Sequence, residues 1–170
     1  MEELGRKSVE DFKLADKKPL VVVMDNIRSM HNVGSVFRTA DAFLISGICL
    51  CGFTPQPPHR DIHKTALGAT DSVDWLYYEN PVDAVLALKA RGYKVLAIEQ
   101  TEGSIMLDEY VDKQMPTAFV FGNEVFGVND EWIQEADFSL EIPQFGTKHS
   151  LNVSVSMGVV IWDFVSKIIA

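Results

Sequence analysis

Short β-branched runs, cut by glycine, proline and polar clusters, repeat along this chain, and apolar residues recur between them at helical spacing. Leu20-Val21-Val22-Val23-Met24, introduced by Pro19, is apolar at every position. Such a run fits a strand buried on both faces of a parallel sheet. Residues 47–53, 75–79, 93–99, 118–121 and 138–142 read as further strands, the last stopped by Pro143, which has no backbone donor. Val33, Val36, Phe37, Ala40 and Phe43 mark one face of a helix over 33–43. Residues 81–91 read as a helix with Pro81 in its first turn and Gly92 just past its end, and 129–136 as a shorter one. Residues 1–18 predict a short polar helical extension, with Ser8-Val9-Glu10-Asp11 as a capping box. The proline cluster at 54–58 marks a loop, and the polar stretch 101–115 a surface loop.

The last segment carries two periodicities. Residues 152–156 alternate like a strand, whereas Leu151, Val155, Val159, Trp162, Val165 and Ile169 fit a helical face. Its length favours a helix, for which Ser150 would be a good N-cap. Strands alternating with helices predict an α/β fold, an open and mostly parallel sheet with helices on both faces. At 170 residues this is one domain with room for a sizeable core.

Composition narrows the setting. No apolar run is long enough to span a membrane, and residues 1–7 lack the apolar segment of a secretory signal. Cys49 and Cys51, the only cysteines, lie two apart on a strand and so on one face. They are poorly placed for a disulfide and read as buried thiols of a reduced, cytoplasmic protein. The net charge is −9, which weakens affinity for phosphate backbones. Its distribution is uneven: residues 26–70 hold Arg28, Arg38, Arg60 and Lys64 against only Asp41 and Asp61, together with three of the four histidines. The acidic remainder reads as solvated surface.

Three stretches combine glycine with amide, hydroxyl or charged side chains, each after a predicted strand. They run from Asn26 to Asp41, from Phe121 to Val128 and from Ile142 to Ser154. Strand ends of this kind are where α/β proteins build ligand sites. Within them stand N-x-G-x-x-x-R-T from Asn32 to Thr39, G-N-E-x-x-G from Gly122 to Gly127 and S-L-N from Ser150 to Asn152. In order and spacing these resemble the three motifs of the SpoU/TrmH family, in the SPOUT class of RNA methyltransferases, over nearly the whole chain from Leu20 onward. The resemblance implies a SPOUT fold over 19–170 with a C-terminal trefoil knot made from the second and third motif segments. It implies methyl transfer from S-adenosylmethionine to a ribose 2′-hydroxyl of tRNA or rRNA, and a homodimer paired through knot-proximal helices. The final helix, with Val155, Val159, Trp162, Phe164, Val165, Ile168 and Ile169, would supply the dimer face.

Residue by residue, the resemblance assigns cofactor binding to Gly122, Ile142 and Leu151 through main-chain atoms, with Glu99, Gln100, Gly127, Gln144 and Gly146 lining the same pocket. As side chains, Ile142 and Leu151 read as ordinary core residues. Arg38, Asn32, Glu124, Ser150 and Asn152 are the implied catalytic set. Arg38 carries a permanent charge, which suits a fork orienting the 2′-hydroxyl and its phosphate better than a general base. The competing reading pairs it with Asp41 at i+3. Asn32 reads as a partner of Arg38 or the ribose, or as a helix N-cap. Glu124 reads as a partner of Arg38 or of RNA.

His59-Arg60-Asp61-Ile62-His63-Lys64 is read as a basic, RNA-contacting loop. The spacing of His59 and His63 suits a metal, yet Arg60 stands where a zinc protease needs glutamate, so no metal is expected. With Arg28 and His31, the residues Arg60, His63 and Lys64 form the expected RNA surface; His149 is a further polar residue beside the third motif. A nicotinamide fingerprint and a phosphate-binding P-loop are both missing. The remaining alternative is a non-catalytic RNA-binding module on the same fold. Only about eighteen residues precede the first strand, where some ribosomal-RNA members carry an RNA-binding domain, so tRNA is the expected substrate.

Overall fold

The computed structural model describes residues 5–111, 116–123, 127 and 133–169. In chain order the elements are α1 (Val9–Leu14), β1 (Lys18–Asp25), α2 (Met30–Ala42), β2 (Ile45–Cys51), α3 (Arg60–Ala66), α4 (Ala69–Ser72), β3 (Trp75–Tyr78), α5 (Pro81–Ala90), β4 (Lys94–Ile98), β5 (Ile105–Met106), β6 (Thr117–Phe121), β7 (Phe138–Glu141) and α6 (Val153–Ile169). Seven strands form one sheet in the order β3-β2-β1-β6-β4-β7-β5, and every pair is parallel. The open α/β sheet expected from the strand–helix alternation is therefore present. The trefoil knot expected of the second and third motif segments runs in part through 124–126 and 128–132, outside the described residues, as does most of the helix expected over 129–136.

The central strands are largely apolar because both faces are covered. Successive side chains point to opposite faces, and the two faces differ in size. Leu20, Val22, Met24, Ile48, Leu50, Leu96, Phe119 and Phe121 pack with α2, α3 and α6 residues in one core. Val21, Val23, Cys49, Cys51, Val95, Ala97, Ala118 and Val120 form the other with Ala84, Val85 and Leu88 of α5. Bulky side chains fill the side carrying α2, α3 and α6; small ones let α5 lie close.

Cys49 and Cys51 are buried and free on that small-residue face. Burial pushes the Cys49 thiol up to about 11, and pushes Cys51 further, with Cys49 and Asp25 adding to it. Neither thiol is expected to react with an aromatic disulfide reagent in native protein at about pH 8, and both should react in denaturant. Reaction of the native protein at the denatured rate would contradict this burial.

Local signals were partly right. Ser8 caps α1, accepting from the Asp11 amide at 3.0 Å; Phe12 of that helix is buried in the larger core. Asn80 caps α5, with Pro81 in the first turn. Four expectations are corrected. The segment read as a basic loop is helix α3, with Ile62 and Ala66 buried beneath its charged residues. The stretch read as a surface loop over 101–115 is more than that in its described part, 101–111: β5 pairs with β7, and Leu107 and Tyr110 enter the core. Lys167 of α6 holds this turn by donating to the Leu107 and Tyr110 carbonyls, each at 2.8 Å. Asn32 is not an N-cap; Ser29 is, accepting from the Asn32 amide at 3.3 Å. Nor does Ser150 cap the last helix: Asn152 Oδ1 accepts from the Ser154 amide at 3.0 Å.

Candidate active site

All strands run the same way, so their carboxyl ends form one edge, where open α/β sheets bind ligands. A cleft of about 500 Å³ opens there, at the ends of β4, β6 and β7. Its wall includes Ile98, Glu99 and Gln100 after β4, Phe121, Gly122, Asn123 and Gly127 after β6, and Leu140, Glu141, Ile142 and Gln144 at β7. His149, Ser150, Leu151, Asn152, Val153 and Ser156 close it from the start of α6. This size, with apolar side chains such as Ile98, Phe121, Leu140 and Ile142 set among amide, hydroxyl and carboxylate groups, suits a nucleoside-sized polar molecule.

The backbone here is closely shaped. Gly127 has φ +68°, in the left-handed region that glycine favours. A Cβ on it would lie 2.6 Å from Glu99 Oε2, so glycine leaves room for that carboxylate. Gly127 donates its amide to the Asn123 carbonyl at 2.9 Å, closing the ends of the second motif. Glu99 Oε1 accepts from the Gln100 amide at 3.0 Å.

Two amide side chains join the cleft to the first motif. Asn123 is buried and donates to the Asn26 carbonyl at 2.7 Å. Asn152 donates to Asn32 Oδ1 at 3.3 Å, across 120 residues of sequence. All three motif segments thus meet at one edge.

Of the cofactor residues expected from the sequence, Glu99, Gln100, Gly122, Gly127, Ile142, Gln144 and Leu151 border the cleft, and Gly146 does not. Leu151 is 40% exposed, so its reading as a core side chain is corrected. Of the catalytic set, Ser150 and Asn152 lie on the wall, Asn32 is one hydrogen bond behind it, and Glu124 falls outside the described residues. Arg38 is exposed on α2 and off the wall. It makes no ion pair with Asp41, which instead accepts a hydrogen bond from Ser72. Arg28, His31, Arg60, His63 and Lys64 are all exposed. His59 is spent as the α3 N-cap, its Nδ1 accepting from the Asp61 amide at 3.2 Å. Among the described residues no cluster of three or more metal-ligating side chains exists. The wall also takes in Asn123, His149 and Val153, which lie within the second and third motif segments, and Leu140, Glu141 and Ser156, which lie outside them; the bond from Asn123 to Asn26 had no sequence signal.

Similarity to known proteins follows the same layout. Residues 19–162 match the SpoU rRNA Methylase family. The chain is 34% identical over 151 residues to the tRNA (guanosine(18)-2'-O)-methyltransferase of Aquifex aeolicus, covering 86% of this chain and 69% of that protein. An AdoMet bound rRNA methyltransferase from Sinorhizobium meliloti superposes with a TM-score of 0.84 at 27% identity, over 94% of this chain and 61% of that one. The A. aeolicus TrmH/SpoU tRNA modifying enzyme gives 0.83 at 28% identity, over 94% and 81%. The chain thus spans from 61% to 81% of these solved relatives. With a match over most of its length and the three motif segments meeting at one edge of the sheet, this chain belongs to the SpoU rRNA methylase family.

Proposed function

We propose that this protein transfers a methyl group from S-adenosylmethionine to a ribose 2′-hydroxyl of RNA, with tRNA favoured over rRNA. One observation carries the reading: the cleft built by the second and third motifs is tied to the first by the Asn152–Asn32 bond. Relatives 34% and 32% identical to this chain are named as tRNA (guanosine(18)-2'-O)-methyltransferases.

The cleft fits the cofactor on its own terms. Its volume suits a nucleoside with an amino-acid tail, and Gly127 leaves open a place that a Cβ would fill against Glu99. Glu99, Gln100, Gly122, Gly127, Ile142, Gln144 and Leu151 would hold it. When bound, S-adenosylmethionine supplies an electrophilic methyl group on its sulfonium. The protein's own task is to hold a weak nucleophile in line. Ser150 presents a hydroxyl on the wall, and Asn32 and Asn152 keep the first and third motifs in register. Arg38 orients the ribose hydroxyl and its phosphate with a planar fork, and Glu124 joins the set by its place in the second motif. Arg28, His31, Arg60, His63 and Lys64 meet the RNA backbone.

The working unit in this reading is a homodimer. Val155, Val159 and Trp162 form an exposed stripe on α6. Phe164 and Val165, expected on the same face, are buried in the chain's own core, so the stripe is narrower than the sequence implied. α2 packs against α6, and Phe43 just past α2 lies 5.8 Å from Trp162 between ring centroids. Pairing through this stripe would bring α2, which carries Arg38, close to the joint between two copies. Sedimentation at micromolar concentration should give a dimer, and Val159→Arg a monomer that no longer methylates RNA. A stable, active wild-type monomer would rule the dimer out.

Among the described residues no helix is long and apolar enough to cross a membrane, and the free thiols suit a reducing cytoplasm. The test of the whole reading is methyl transfer from labelled cofactor to bulk RNA, followed by mass spectrometry of nucleosides from tRNA and rRNA. A 2′-O-methylated nucleoside is the expected product. RNA binding without transfer would favour the non-catalytic module instead.

A further inference from the structure

Consecutive residues after β2 invert the usual order of burial: Phe53 is 59% exposed and Thr54 only 2%. Phenylalanine is normally the residue inside and threonine the one outside. The segment is not loose. The Gly52 amide donates to the Tyr78 carbonyl at 3.0 Å, and Tyr77 Oη to the Gly52 carbonyl at 2.9 Å. The Phe53 amide donates to Asn26 Oδ1 at 3.1 Å. Thr54 Oγ1 contacts the Met24 and Cys51 carbonyls at 3.0 and 2.7 Å, and accepts from the Ile27 amide at 3.0 Å. Gly52, at φ +60°, has no room for a side chain, since a Cβ would lie 2.0 Å from Asn26 Oδ1. A clasp from β1, β2 and β3 therefore fixes the backbone and leaves the phenyl ring in solvent.

The ring stands on the same edge as the cleft. Cys51 pairs with Asp25, and Met24 with Phe121, which lines the cleft. Two strand spacings, about 10 Å, separate the β2 end from the β6 end. Between them lies the loop bearing Arg28, which is exposed, and six residues after Phe53 comes His59, the cap of α3 with its exposed Arg60, His63 and Lys64. In a chain of net charge −9, residues 26–70 hold Arg28, Arg38, Arg60 and Lys64 against only Asp41 and Asp61. A rigid exposed aromatic ring among cations suits a polyanion that carries flat unsaturated faces.

We propose that Phe53 is a stacking platform for an unpaired base of the RNA substrate, seated beside the reacting nucleotide. Bases stack on aromatic side chains only where they are not already paired and stacked. The platform would therefore select single-stranded loops over continuous duplex. This deepens the methyltransferase reading and rests on it.

The test compares full-length wild type, Phe53→Ala, Phe53→Leu and Phe53→Trp. The probes are a tRNA-sized RNA with unpaired loops and a fully paired duplex of equal length. Wild type and Phe53→Trp should bind the looped RNA alike, whereas Phe53→Ala and Phe53→Leu should bind it roughly tenfold or more weakly, as for a lost base–aromatic stack. Duplex affinity, cofactor affinity and the thermal midpoint should be the same in all four. Unchanged looped-RNA binding by Phe53→Ala would overturn the platform, and so would Phe53→Leu matching Phe53→Trp, which would make the contact merely apolar. A Phe53→Ala protein that has become monomeric would assign the ring to a second copy of the chain and overturn it too. Wild type that binds neither RNA would sink the methyltransferase reading along with this one, whereas Phe53→Ala methylating RNA as well as wild type sinks the platform alone.

Discussion

Arg38→Ala is expected to slow single-turnover methyl transfer by on the order of a hundredfold or more, as for a lost positioning or charge-stabilising group, with cofactor affinity and folding stability nearly unchanged. The side chain is exposed on α2 and off the cleft wall. Removing it opens no cavity and touches no wall residue. The alternative, a surface pair with Asp41, loses its partner because Asp41 is taken by Ser72. Such a pair would be worth about 0–1 kcal/mol in any case. Arg38→Lys should rescue little, since an ammonium lacks the planar fork. Asp41→Ala should leave turnover close to wild type while costing some stability through Ser72. Near-normal turnover in Arg38→Ala would remove the arginine from the mechanism and move attention to Ser150 and Glu124.

Gly34→Ala is the second large effect, and it acts on stability. Gly34 sits in α2 where α3 crosses it. A Cβ there would lie 2.0 Å from Thr65 Oγ1 and 2.3 Å from the Ile62 carbonyl oxygen. A hydroxyl can rotate away, but a backbone carbonyl moves only with its helix. The methyl should therefore force α3 off α2 and cost about 1–3 kcal/mol, the usual range for overpacking. In a chain of this size that is roughly 2–12 °C in melting temperature. Adding Thr65→Ala should recover only part of the loss, because the Ile62 carbonyl remains. Since α3 carries Arg60, His63 and Lys64, RNA affinity should fall together with stability. Thermal melts within a degree of wild type would show that α2 and α3 have slack the structure does not display.

The glycine of the first motif thus serves helix packing, whereas Gly127 of the second shapes the cleft against Glu99. The two motif glycines look alike in sequence, and only their surroundings separate them. The same holds for the amides. Asn26, at φ +53°, precedes the first helix, yet its carbonyl and side chain reach Asn123 and Phe53. Neither contact has a periodicity from which it could be inferred.

The continuous apolar runs of β1, β2, β4 and β6 were legible because a parallel sheet covered on both faces favours apolar residues on both sides of its strands, the buried polar ones, Asp25 and Thr117, standing at strand ends. The cap at Ser8 and the start of α5 at Pro81 were legible because such signals act only within their own turn. The three glycine-bearing strand ends followed from the strands. What local pattern could not decide was any choice among neighbours or between distant segments. Ser150 and Asn152 are both sound caps by residue type, and the direction in which the chain enters α6 selected Asn152. Residues 59–66 look like loop because only Ile62 and Ala66 of α3 turn inward, too few to show a helical period. Leu107 and Tyr110 sit in a polar stretch, and their burial depends on Lys167, some sixty residues later, capping their carbonyls. The Asn152–Asn32 bond closes 120 residues of chain. Contacts of that span depend on where the folded sheet brings its edges, and that placement belongs to the tertiary structure alone.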